Sequence, residues 1–324
     1  MKKFFLFAFL LIAVVSCKDE KDKVEEKVAA VEVGKIDIER FDKDFYESNP
    51  NDITAVKQKY PFFFPAGNPD AVWTDKIKEP LLQELYSEVE KKFPNTKSLE
   101  EDFYSLFQHI KYYYPDFRTP KVITLISEMD YESKVIYADS LMLVSLDLYL
   151  GKDHKFYEFP AYQKQNFEPR QIMPDAALAF AETKIPPIRE RDLLSQMIYF
   201  GKQLYMKDLL IPEYTDAEKM GYTEEQQLWT EANEEEIWRY FVENKSLYDT
   251  DPKLAGRFIK PAPFSKFYLE IDNESPGRVG QWIGWQIVRA YAKSHKDVPL
   301  QQLLLMNARE LFENSKYKPK KTNG

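Results

Sequence analysis

Residues 122–146 read VITLISEMDYESKVIYADSLMLVSL. Val122–Ile126, Ser133–Tyr137 and Leu141–Leu146 are short β-branched or apolar runs with turn-length gaps between them, which predicts three strands. Upstream, Val31–Phe41 (VEVGKIDIERF) alternates around Val31, Val33, Ile36, Ile38 and Phe41 with a slip at Gly34, a pattern for a strand with a bulge. The expectation is a small antiparallel sheet of three strands, which the upstream strand could join.

Everything around this block has helical spacing. Leu81, Leu82, Leu85 and Val89 make one stripe, and Leu99, Phe103, Leu106, Phe107 and Ile110 another. Prolines at 61, 65, 69, 80, 94 and 115 punctuate that region. After Arg170, helices are expected over Leu193–Met206, Thr223–Tyr248, Pro276–His295 and Leu300–Asn314. The fold class is therefore α+β, predominantly α-helical, with one small antiparallel sheet packed on helices. No stretch rich in Gly, Pro or Ser divides the chain, so residues 31–314 read as a single globular domain.

The N-terminus carries Lys2 and Lys3 and then an uncharged apolar run, Phe4–Val15. As a helix that run would span about 18 Å, too short for a bilayer core and right for a secretory signal. It exits through Val14-Val15-Ser16-Cys17, and Cys17 is the chain's one cysteine. This resembles a bacterial lipobox, which implies that residues 1–16 are removed and the Cys17 thiol is acylated. Acyl chains contribute about 0.8 kcal/mol per buried CH₂, so such an anchor holds firmly. Residues 18–30 (KDEKDKVEEKVAA) are too polar to order themselves, so 17–30 reads as a lipidated tether of about 45 Å reach. Residues 315–324 read as a flexible basic tail. Losing residues 1–16 removes two lysines and shifts the net charge from −8 to −10, against nucleic acid as a partner.

Two places could form a groove. Gly277, Gly280 and Gly284 fall at helical spacing in PGRVGQWIGWQIVRAY, beside Arg278 and Gln281. Each glycine costs nearly 1 kcal/mol against alanine within a helix, so either another backbone comes close or a partner does. Asn233 and Glu236 lie inside the apolar stripe of Trp229, Ala232, Ile237, Tyr240 and Phe241, as satisfied core groups or as groups facing a cleft.

Catalytic motifs are missing. His109, His154 and His295 are far apart, no His-Glu-x-x-His occurs, and a lipidated Cys17 leaves no thiolate. There is no Gly-x-Ser-x-Gly elbow and no phosphate-binding glycine loop. A carboxylate pair for sugar hydrolysis needs no closeness in sequence, so that class stays open. No catalytic residue, metal ligand or cofactor is assigned.

RDLLSQMIYFGKQLYMKDLLIP (191–212), FVENKSLYDTDPKL (241–254) and SPGRVGQWIGWQIVRAYAKS (275–294), with the Val-Val-Ser-Cys17 signal, resemble the gliding motility lipoprotein GldB family of Bacteroidetes. The resemblance implies a role in surface gliding and the linked type IX secretion machinery, with other envelope proteins as partners. A second similarity, to zinc peptidases of the gluzincin type, would put QIMPDAALAFAET (171–183) where their zinc helix belongs, and Phe200 before Gly201 where a glutamate ligand belongs. It implies a scaffold that has lost its metal ligands. The leading expectation is thus a non-catalytic lipid-anchored accessory, with the outer membrane favoured by Lys18 after the cysteine. The alternatives are an envelope metallopeptidase or glycan hydrolase, and a solute-capture lipoprotein.

Overall fold

The computed structural model describes residues 20–321. The signal, Cys17 and residues 322–324 lie outside them. Four strands, β1 (Ile38–Arg40), β2 (Lys121–Leu125), β3 (Val135–Ala138) and β4 (Leu141–Ser145), form one sheet in the order β1-β2-β4-β3. The helices that matter below are α1 (Glu20–Ala29), α2 (Pro80–Lys92), α3 (Lys97–Tyr113), α4 (Ile172–Glu182), α5 (Leu193–Leu210), α6 (Glu224–Ala232), α7 (Glu234–Glu243), α8 (Val279–Ser294), α9 (Leu300–Leu305) and α10 (Ala308–Ser315). The protein is α+β and predominantly helical.

The sheet is mixed rather than antiparallel. β1 runs parallel to β2, β2 parallel to β4, and β3 alone is antiparallel, paired with β4 at the edge. The carboxylate of Asp147, deep in the core, braces the turn that follows β2. It accepts the backbone N–H groups of Ser127 (2.9 Å) and Met129 (2.7 Å), across a turn where Glu128 and Met129 both have positive φ. That turn carries the chain away from β2, so β3 enters on the far side of β4. Burial pushes the Asp147 carboxyl up to about 6, against the pull of these N–H donors. The upstream strand is shorter than its alternation suggests: residues 31–37 have no ladder, though Val33 and Ile36 are buried.

Alternate residues of β2 serve two cores. Val122, with Met142 and Val144 of β4, joins the large helical core; Ile123 joins a second cluster built on Phe45, Tyr46, Tyr60 and Tyr86. Helical layers thus cover both faces, which is why β2 reads as an unbroken apolar run.

The large core is organised on the crossing of α5 and α8. At Gly284 an added Cβ would sit 1.8 Å from the carbonyl oxygen of Met197, and at Gly201 2.3 Å from the carbonyl carbon of Gly284. Backbone lies on backbone there, and only glycine allows it. Trp282 and Trp285 fill the space alongside, fully buried.

Both ends of the chain depart from expectation. Residues 20–29 of the expected tether form α1, which docks on α3: Val28 is buried, Glu25 lies 3.2 Å from His109, and Gln108 donates to the carbonyl of Val31 at 2.8 Å. Two valines four apart, Val24 and Val28, suffice once a second helix provides the partner face. The basic tail is also tied down through residue 320. The Tyr317 hydroxyl (2.9 Å) and the Lys320 N–H (3.0 Å) both donate to Glu234 Oε1.

Two expected helices are each split. The 223–248 segment breaks at Asn233, whose amide donates to the Trp229 carbonyl at 2.7 Å. The 300–314 segment breaks before Asn307, which caps α10 through the Glu310 N–H at 2.8 Å.

Candidate functional site: a donor-rich cavity between α4, α5 and α8

A polar cavity of about 500 Å³ opens where the start of β3, α4, α5 and the N-terminus of α8 converge. α4 presents Asp175 and Leu178 to it, with Gln171 one turn earlier. Asp175 is the one acid in the first turn of a helix that is apolar from there to Ala181, and it is engaged. Its Oδ2 accepts from Lys134 Nζ at 2.6 Å and from the Tyr149 hydroxyl at 2.9 Å. Burial, then the neighbouring Asp175 charge, drives the Tyr149 phenol well up, so it remains a donor.

α5 contributes Lys207. Its stem lies among buried residues of the helix, and its ammonium donates to the Lys219 carbonyl at 2.8 Å. Burial lowers its pKa to about 8; the charges of Asp175 and Glu182 oppose this, and those of Arg278 and Lys134 add to it. From the start of α8 comes Arg278, a non-glycine residue held at φ 65° and ψ 23°. Its Nη2 donates to the Gly221 carbonyl at 3.1 Å, and its guanidinium lies 5.4 Å from the centre of the Tyr222 ring.

That carbonyl is crowded. Gln165 Nε2 at 2.9 Å and Asn166 Nδ2 at 3.1 Å donate to the same oxygen. A carbonyl oxygen has two lone pairs, so three donors exceed it. Three side-chain donors therefore compete for this one oxygen, and Gln165 shares its amide with Gln226 Oε1 at 3.2 Å. Gly221 sits at φ 68°, and a Cβ there would meet Asn166 Nδ2 at 2.7 Å, which keeps the oxygen open to this approach.

The residues singled out from sequence are dispersed among three surroundings. Gly277 and Arg278 line the cavity. Gly280, Gln281 and Gly284 are packed away: Gly280 against Phe258 and Ile259, Gly284 against Met197, and the Gln281 amide on the Ile259 carbonyl at 2.7 Å. Asn233 and Glu236 line a different, more apolar groove of about 260 Å³, with Ile237, Tyr240, Phe267 and Leu269. There Glu236 is exposed and pairs with Arg239 at 2.8 Å. Lys134, Asp175 and Lys207 were not foreseen. A cue existed for Lys207: it stands three residues from both Leu204 and Leu210 on the buried face of α5.

Gly201 faces α8, not α4, and the α5 residue that reaches the cavity is Lys207 rather than Phe200. His109 and His154 pair with Glu25 and Glu88 on other elements, and His295 caps α8. Among the described residues no group of three or more His, Cys, Asp and Glu side chains could hold a metal ion.

The family described as gliding motility protein GldB matches residues 21–319. The chain belongs to the GldB family. No curated protein and no solved structure matches it. The GldB match takes in α1, all four strands, the α5–α8 crossing and the Tyr317 contact. GldB membership makes this a gliding-motility-related lipoprotein, associated with the cell envelope. Among the described residues no helix is long and apolar enough to cross a membrane.

Proposed function

We propose that this GldB-family chain is a non-catalytic accessory of the gliding apparatus and of the type IX secretion machinery linked to it, held at the outer membrane by lipid on Cys17. The family match and the Val-Val-Ser-Cys17 signal support its address and process.

One observation carries the non-catalytic part. Gln171 and Asp175 stand four residues apart where α4 meets the cavity, the spacing at which two histidines bind zinc in metallopeptidases. Here the first is an amide, and the second is held by Lys134 and Tyr149 rather than free to act as a base. Our reading is of a peptidase-like scaffold retired from catalysis, with its cleft kept for contact.

Clean deletion of the gene is expected to abolish colony spreading and to reduce secretion, with both restored by the full chain and not by Cys17→Ser. Normal spreading and secretion in the deletion strain would sink the proposal. Stoichiometric zinc in the purified chain, or turnover of peptides or peptidoglycan, would overturn the non-catalytic part alone.

A further inference from the structure

We propose that the cavity between α4, α5 and α8 is a binding site for an anionic group, a carboxylate or a phosphate of a small polar ligand, with Arg278 and Lys207 as its charge partners. This does not depend on the gliding role or on the absence of catalysis.

Charge and hydrogen bonding lead to it together. A guanidinium has five N–H donors and an ammonium three. In the protein Arg278 spends one on Gly221 and Lys207 one on Lys219, both to neutral carbonyls. Among the described residues no carboxylate lies within ion-pair distance of either cation, and the nearby Asp175 is bonded to Lys134 instead. Lys207 is buried and Arg278 half-buried; a desolvated cation without a counter-charge is costly, and chains seldom bury one without a partner. The wall holds three cations, Lys134, Lys207 and Arg278, against two carboxylates, Glu132 and Asp175, so one positive charge is left over that water cannot offset.

The rest of the wall agrees. Gln165, Asn166 and Arg278 converge on one oxygen, so the side chains compete for acceptors. The N-terminus of the sixteen-residue α8 begins at Arg278, adding partial positive charge at the same rim. Arg278 is also held in a left-handed conformation that glycine would adopt without strain, and strained residues of this kind concentrate at ligand clamps. Tyr131 and Tyr222 offer ring faces and hydroxyls beside the cations, suited to the polar remainder of the ligand.

The test is thermal unfolding of the full-length lipoprotein in detergent at pH 7, followed by tryptophan fluorescence at constant ionic strength. Inorganic phosphate and D-glucuronate are the two probes, with chloride as the reference. A rise in Tm of several degrees with at least one probe at 10 mM is expected. Response to phosphate alone assigns the site to phosphoryl ligands, and response to glucuronate alone to carboxylates. Arg278→Gly suits the left-handed backbone and should fold, yet bind the responding probe at least tenfold more weakly by calorimetry. Lys207→Met should lose the Tm shift as well. No shift with either probe overturns the proposal, and so does an equal shift in wild type and Arg278→Gly.

Discussion

Two regions that meet the first turns of α8 treat buried charge in opposite ways. Four residues after Arg278, the Trp282 indole donates to Glu234 Oε2 at 3.2 Å, while Tyr317 and Lys320 donate to Oε1 of the same carboxylate. Glu234 is 1 % exposed and is met by three donors. Lys207 is 6 % exposed and meets one neutral acceptor. Burial alone does not set the two charges apart; the balance of partners does. A saturated carboxylate fastens the tail to the body. An under-satisfied cation beside a cavity has capacity for something from outside the chain.

The strongest way to break the comparison is to break α8 itself. Gly284→Ala would press a methyl against the Met197 carbonyl and is expected to cost about 4 kcal/mol or to prevent folding. A urea midpoint close to wild type would mean that the α5–α8 contact is looser than described. Next comes Glu234→Ala, which strands the Trp282, Tyr317 and Lys320 donors and should cost about 2–4 kcal/mol. Limited proteolysis should then cut the C-terminal tail first; a tail as protected as in wild type would refute the anchoring role.

Lys207 should show the reverse sign. Its folded pKa, about 8, lies below the ordinary lysine value of 10.5, so the unfolded chain binds more protons between those limits. Stability should therefore increase as pH rises from 8 towards 10. Lys202 adds to the slope: burial takes it to about 8 too, although its ammonium is held by the Leu304 and Met306 carbonyls at the end of α9. Lys207→Met should flatten the slope measured by urea unfolding at pH 8 and pH 10 and raise stability at pH 7 by about 1–2 kcal/mol. A Lys207→Met protein less stable than wild type at pH 7 would count against an under-satisfied cation. The smallest effect is expected from Arg278→Gly, about 1 kcal/mol of stabilisation from relief of the left-handed residue.

Much of the scaffold was legible in the sequence because local spacing decides it. The stripes of α2, α3 and α5 follow from apolar residues three and four apart, and of the two readings open for the glycine series, close backbone approach holds at Gly280 and Gly284 while Gly277 also lines the cavity. Pairing between strands was not legible. The turn between β2 and β3 is held by Asp147, which lies outside the block that reads as sheet and bonds residues some twenty positions away, so local spacing does not show which strand β2 neighbours. Nor were the cavity residues. Lys207 looks like the polar side of a helix until the cover over that side is known, and Asp175 looks like one solvated acid. Arg278 was picked out for the glycines around it, and its own left-handed backbone is invisible to periodicity. Asn233 and Glu236 showed the converse: polar residues in an apolar stripe marked a bend in the chain and the rim of a second groove.

Because α1 begins at Glu20 and docks on α3 through Glu25 and Val28, an acyl group on Cys17 would be separated from the first helical residue by only residues 18 and 19. So few peptide units reach about 10 Å, not the 45 Å of a free tether. Such a protein would ride low on the lipid surface with a fixed underside. Whatever engages it would approach from above or from the flank, already confined to two dimensions.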